Sequence, residues 1–429
     1  MNLLTKFSGI LIFLSFITSI YAYFFNKELI LISGIIAWFA LVILYVLLSN
    51  KKILNTLFIL SILAFAFSYY KGFDINFIKV FTVNQYLLSL LIGVGFLRLI
   101  ASPKKDKSMS LPKGKQSFFK TYLGIHLFGS VINLSSLILV ADKLYKKAPL
   151  SNSQVIVLTR AFSSDAYWSP FFVAFAAAIT YAPNLSPSII LVNGLFLAFI
   201  AFVITYLELS NDKKFKLDDF KGYPVAFETL VLPFSLAFLV LLTNHYFPQV
   251  KVIVLIALFS LLLTLFVLPI KKGLTKSYNQ LKMHLIDELP KMRLEMSLFL
   301  VAGMFGISIS TILVGYDVSL PFETFDWIIA SILLAIFIVL SMIGIHPIIT
   351  IAIIGDFMSS VNHTLLAITF LMAWSTTVST SPFSGLNMTI VSRYNFLALD
   401  IFKLNISYAL KMYIVCVLCL FILNTYVIL

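Results

Sequence analysis

Residues 161–171 read AFSSDAYWSPF, and residues 373–383 read AWSTTVSTSPF. The two stretches share their first residue, a Ser at the third position and a closing Ser-Pro-Phe, and they stand 212 residues apart in a chain of 429. Both lie inside apolar segments, 155–181 and 365–394, each long enough to cross a hydrocarbon core as a helix. A proline there removes a backbone N–H and clashes with the carbonyl one turn earlier, so each segment is expected to break at its Ser-Pro. A break at membrane depth frees backbone groups, which is tolerated only where they are buried in protein or line a wet cavity.

The rest of the chain carries the same imprint. Hydrophobic residues make up 60% and charged residues 11%, too little polar surface for a soluble domain. Apolar runs recur from Phe7 to the last residues. They predict an all-α polytopic membrane protein with about eleven transmembrane helices plus two re-entrant helical hairpins. The first run, 7–25, is too long for a signal-peptide core and lacks a small-residue cleavage site, so it is expected to be retained. Cys416 and Cys419 lie one turn apart in the last apolar run, where they are expected to be small packing residues and not a metal site.

A net charge of +13 raises nucleic acid as a partner, but the lysines sit in the short connections between apolar runs. That is the positive-inside pattern, with the lipid bilayer as the neighbour and no nucleic acid. Lys51 and Lys52, the run 104–120, Lys143 to Lys147, Lys213 to Lys221 and Lys271 to Arg293 fall on one side, and the acidic loop with Asp317, Glu323 and Asp326 on the other. In an inner membrane this predicts a cytoplasmic N-terminus and an outside C-terminus. Keeping Lys143, Lys146 and Lys147 cytoplasmic requires 115–142 to enter and return as a hairpin, and the same counting makes 326–360 a hairpin from the opposite side. The expected organisation is an N-terminal repeat over 1–210, a cytoplasmic linker over 211–225 and an inverted C-terminal repeat over 226–429. An amphipathic helix at the membrane surface is expected over 271–294.

A second repeated tripeptide, Gly124-Ile125-His126 and Gly344-Ile345-His346, places these residues at the hairpin tips, with Pro347 ending a helix. His126 and His346 are then either solute or proton contacts or hydrogen bonds closing the turns. Asp165 is an acid at membrane depth, which marks either an ion or proton path or a pair with Arg160. Ser163, Ser164, Ser169, Ser375, Thr376, Thr377, Ser379, Thr380, Ser381 and Ser384, beside Pro170 and Pro382, give the breaks a hydroxyl lining that can replace the hydration shell of Na⁺ or bond an anion; any one of them can equally back-bond to its own helix. Asn387, Gly385 and Asn133 are further members, and Asp356 is a weaker candidate.

This order of hairpins and discontinuous helices resembles the ion transporter superfamily, whose best-known branch is the divalent anion:sodium symporters. The resemblance covers nearly the whole chain as architecture. It implies a midplane site shared by tips and breaks, elevator-type alternating access and a homodimer. Those symporters carry Ser-Asn-Thr at both tips where this chain has Gly-Ile-His, so their carboxylate specificity does not transfer.

The expected function is therefore a secondary active transporter for a small anionic or polar solute, coupled to Na⁺ or H⁺, with no cofactor other than such an ion. A Na⁺/H⁺ antiporter of the same fold is the alternative. A membrane-embedded polysaccharide or lipid-linked glycan enzyme is less favoured, because such enzymes carry a large external loop and none here exceeds about a dozen residues; the absence of a phosphate loop, zinc spacing or nucleophile elbow counts against ATP-driven pumping.

Overall fold

The computed structural model describes residues 3–48, 51–100, 111–212, 215, 217–223, 231–358 and 360–427. In chain order its α-helices are α1 (Leu3–Phe24), α2 (Leu29–Tyr45), α3 (Lys52–Tyr70), α4 (Phe77–Thr82), α5 (Gln85–Leu97), α6 (Lys115–Ile132), α7 (Leu134–Tyr145), α8 (Asn152–Ser163), α9 (Val173–Tyr181), α10 (Pro187–Asn211), α11 (Val231–Tyr246), α12 (Val252–Lys272), α13 (Leu274–Met283), α14 (Arg293–Gly315), α15 (Trp327–Met342), α16 (Pro347–Phe357), α17 (His363–Thr380), α18 (Gly385–Tyr394) and α19 (Ala398–Tyr426). Among the described residues, eight helical stretches are long and apolar enough to cross a membrane, and three shorter apolar helices accompany them. The chain is an all-α, multi-pass membrane protein.

Two compact units divide it, each drawing on both halves of the sequence. The first comprises 1–101, 235–323 and 348–359. Its helices pair as α1 with α2, α5 with α12 and α3 with α14. Lipid offers no hydrophobic drive for helices to associate, so small residues and interhelical hydrogen bonds hold such pairs. Ser15 Oγ donates to the Ser33 carbonyl at 2.9 Å and Ser33 Oγ returns the bond to the Ser15 carbonyl at 2.8 Å. Across another pair, Asn84 Nδ2 donates to the Phe299 carbonyl at 2.7 Å. The helix expected over 271–294 is present as α13 and the turns following it through Met292, with Leu274 and Tyr278 exposed.

The second unit, 102–234, 324–347 and 360–429, is organised around α17. No Asp, Glu, Lys or Arg occurs from Thr364 to Ser392, and every residue of α17 from Thr364 to Thr380 is buried. A helix that is apolar or hydroxyl-bearing all round can be enclosed on all sides. Helices α8, α9, α10, α15 and α19 pack on it. Chain entry is fixed at matching places: Ser151 caps α8 in a reciprocal capping box with Gln154, and Asn362 caps α17 through the Thr364 and Leu365 amides.

The helix breaks correct one sequence expectation. Gly124 and His126 lie inside α6, which runs on to Ile132, and not at a tip. The chain breaks at Asn133, with φ 54°, whereas the second break includes Gly344, with φ 102°. Only a residue that accepts positive φ can sit there, and Gly and Asn accept it most readily. The two positive-φ breaks, Asn133 and Gly344, stand 211 residues apart, whereas the Gly-Ile-His copies are offset by 220 and fall one inside a helix and one at a break. Pro347 likewise starts α16 and does not end a helix; at the first helical position its missing N–H has no intrahelical partner to lose. From Ile348 on, α16 belongs to the first unit.

Candidate functional site

The two Ser-Pro segments, both in the second unit, are built alike. Helix α8 ends at Ser163 and passes through a tight turn, Ser164–Tyr167, before α9 starts at Val173. Helix α17 ends at Thr380 and α18 starts at Gly385. In the first break Ser169 Oγ donates to the Ser130 carbonyl at 2.5 Å and accepts from the Phe171 amide at 3.2 Å. In the second, Ser381 Oγ donates to the Ser341 carbonyl at 2.6 Å and accepts from the Phe383 amide at 3.2 Å. Ser130 and Ser341 each precede their left-handed residue, Asn133 or Gly344, by three positions. Each serine hydroxyl therefore ties a proline break to the end of the helix before the neighbouring break, and Pro170 and Pro382 sit in these tied turns. The two stretches also meet directly: Ser375 Oγ donates 2.7 Å to the carbonyl of Ser163, its counterpart at the same 212-residue offset. Tyr167 Oη lies 3.4 Å from Thr376 Oγ1.

Beside this junction is a buried acid. Asp165 is fully buried, and its Oδ1 lies 2.7 Å from Nδ1 of His126 on α6. The imidazole is held from three other directions. Ser164 Oγ is 2.9 Å from Nδ1, the Ala161 carbonyl is 3.2 Å from Nδ1, and the Trp168 indole N–H donates to Nε2 at 3.1 Å. A donor aimed at Nε2 leaves that nitrogen unprotonated, so the ring carries its proton on Nδ1. That N–H is shared between Asp165 Oδ1 at 2.7 Å and the Ala161 carbonyl at 3.2 Å, while Oδ2 has no hydrogen-bond partner among the described residues. Space for the carboxylate comes from Gly129, where a Cβ would run into Asp165 Oδ2 and lie 3.0 Å from the Phe162 ring.

Arg160 is not the partner of Asp165. Its guanidinium turns to the other side of α8, with Nη1 on Glu208 Oε2 at 2.6 Å, Nε on Asn405 Oδ1 at 2.9 Å and Nη2 on the Leu404 carbonyl at 2.9 Å. The ring of Tyr408 lies 4.4 Å away, and Lys411 Nζ reaches the second oxygen of Glu208 at 2.5 Å. Five donors in a rigid fork suit such a crowded junction, which draws the group away from the break.

The second half is chemically different. Thr377, the counterpart of Asp165, back-bonds to the Ala373 carbonyl at 2.8 Å. Asn387 Nδ2 donates to the Ser379 and Ser381 carbonyls at 3.0 and 2.9 Å, while its buried Oδ1 has no partner. Ser341, Gly344, His346, Thr377, Ser381 and Ser384 line a small cavity beside it. His346 meets the edge of Trp374, ring centres 5.2 Å apart. Among the described residues no three His, Cys, Asp or Glu side chains cluster as metal ligands, and Cys416 and Cys419 are free and buried. The side chain of Asp356 lies outside the described residues.

Of the residues singled out from sequence, His126, Ser164, Asp165, Ser169 and Pro170 gather at the first break, and Gly344, His346, Thr377, Ser381, Pro382 and Asn387 at the second, with Ser163, Ser375 and Thr376 between them. Sequence reading passed over Trp168, Gly129, Ser130 and Glu208. Glu208 alone carried a signal, as an acid within an apolar span.

The close fit of Gly129 yields a test. Gly129→Ala is expected to cost about 1–3 kcal/mol, the range for overpacking a filled interior. Gly385→Ala, where a Cβ meets nothing within 4 Å, serves as the control. Thermal unfolding of the two purified variants in detergent should lower the midpoint of the first alone; equal midpoints would mean the Asp165 pocket has room to spare.

No protein-family model and no curated protein matches this chain.

Proposed function

We propose that this protein is a secondary active transporter of the ion transporter type, formed from two inverted repeats, and that a proton on the Asp165–His126 pair couples the movement of a small polar or anionic solute. One observation carries the reading: a fully buried carboxylate held against an imidazole sits beside a junction where two like-built helix breaks meet. Ser375 Oγ on the carbonyl of the aligned Ser163 supports this reading, as two related copies would meet near a pseudo-two-fold axis, while Ser163 Oγ itself bonds the Arg160 carbonyl. Breaks paired in this way supply half-helix ends and freed carbonyls for a solute at the midplane. Positive-inside charge favours an inner-membrane chain with a cytoplasmic N-terminus.

The chemistry favours the proton over Na⁺. A buried carboxylate facing an imidazole must be neutralised by its own proton, by a protonated His126 or by an entering cation. Protonating His126 on Nε2 would expel the Trp168 N–H, so the proton state of the pair is tied to the turn that precedes the Ser169 break.

The test is proton movement in proteoliposomes loaded with a pH-sensitive dye. Mono- and dicarboxylates, amino acids and nucleosides are added in turn, without Na⁺ and then with it. At least one solute is expected to move protons without Na⁺. Solute uptake that needs a Na⁺ gradient and moves no protons would overturn the coupling assignment.

A further inference from the structure

The first unit contains a cavity of about 500 Å³ lined by Trp38, Leu41, Val42, Tyr45, Leu48, Leu54, Asn55, Phe58, Ile59, Ser297 and Val301. Its walls are α2, α3 and α14, and its lining is almost wholly apolar. The rim is open: Val42 is 65% and Ile59 56% exposed, which in a chain of this hydrophobicity faces lipid tails. One end of the cavity differs. Tyr45 Oη donates to Asn55 Oδ1 at 2.6 Å, and the Lys51 ammonium lies 4.8 Å above the Tyr45 ring. Arg293 reaches the same end, its Nε bonding the Leu47 carbonyl at 3.1 Å next to the lining residue Leu48. Lys51 also stands at the start of α3, as its N-cap residue. Two cations and a helix N-terminus thus sit at one end of an apolar slot.

We propose that this cavity holds one acyl chain of an anionic glycerophospholipid whose headgroup phosphate rests on Lys51 and Arg293. The charge pattern selects the occupant. Both cations belong to segments that the positive-inside rule places at the cytoplasmic leaflet, where anionic lipids concentrate. A second copy of the chain seated symmetrically here would bring Lys51 and Arg293 against their own equivalents, placing like charges together. The site is independent of the transport reading, because its lining lies wholly in the first unit.

The experiment counts lipids retained by the purified, delipidated protein in native mass spectrometry, during titration with dioleoyl phosphatidylglycerol or dioleoyl phosphatidylcholine. One phosphatidylglycerol is expected to bind at least tenfold more tightly than phosphatidylcholine. Each cation near an anionic surface is worth about fivefold in affinity, so the Lys51→Gln, Arg293→Gln double variant should lose most of that preference. Val301→Phe, which fills the slot, should weaken both lipids; Ser297→Leu fills it from the next turn and replaces that variant if it fails to fold. Equal affinity for the two lipids in the wild type would overturn the proposal. So would undiminished binding in the filled variants, or a filled variant whose sole change is loss of a dimer, which would assign the cavity to a second copy.

Discussion

Asp165→Asn is expected to stop proton movement through the protein while leaving it folded. Asparagine has the same shape, and its Oδ1 can still accept from His126 Nδ1 as the carboxylate does. The neutral amide cannot exchange a proton in the working pH range, so a coupling step that uses this position ends there. The measurement is the dye-loaded proteoliposome assay with whichever solute moves protons in the wild type. Flux should fall to the level of protein-free vesicles while the thermal midpoint of the variant stays close to that of the wild type. His126→Gln should behave differently: it removes the titrating ring while keeping polar atoms for Trp168 and Ala161, so residual transport should lose its pH dependence near neutrality. Proton flux surviving in Asp165→Asn would remove this residue from the mechanism. Flux lost together with the fold would instead make it a packing residue.

Much of this site was legible because proline and membrane-depth acid are strong local signals. Ser169-Pro170 and Ser381-Pro382 mark breaks wherever the chain runs as an apolar helix, and the structure breaks at both. What could not be read was which carbonyls the serines would hold. Ser130 and Ser341 are among many serines in apolar runs, and their role follows from the left-handed residue three positions later. The Gly-Ile-His identity misled because a tripeptide match carries no information on φ, whereas Asn133 and Gly344 share a backbone requirement without sharing a side chain. His126 was selected as a tip residue but reaches the site from within α6, by facing a turn 39 residues further along the chain. Helical spacing fixes the face of a residue on its own helix, and the element opposite that face is set by packing that one sequence does not encode locally.

Arg160 shows the same limit and gives the second large effect. From sequence its nearest acid was Asp165, a little more than one turn along the chain, yet the folded protein pairs it with Glu208 on α10 and two groups of α19. Geometry explains the choice: the turn Ser164–Tyr167 carries Asp165 toward α6, and the guanidinium fork is satisfied only where a carboxylate, an amide oxygen and a backbone carbonyl converge. Removing one member of a buried ion pair strands the other, at about 3–5 kcal/mol. Glu208→Ala should fall near the lower end, about 3 kcal/mol, because Glu208 is 21% exposed while Arg160 is 1% exposed. Glu208→Gln keeps one acceptor for Arg160 Nη1 and should lose less. The discriminating variant is Glu208→Ala combined with Arg160→Met, which removes both charges and retains the bulk over Tyr408. Part of the lost stability should return, though not all, because Asn405 and the Leu404 carbonyl lose their donor. Unfolding midpoints in detergent for the two single variants and the pair complete the cycle. If the double variant is no better than the sum of the singles, the three helices are held by packing, and the ion pair that joins α8, α10 and α19 is incidental to it.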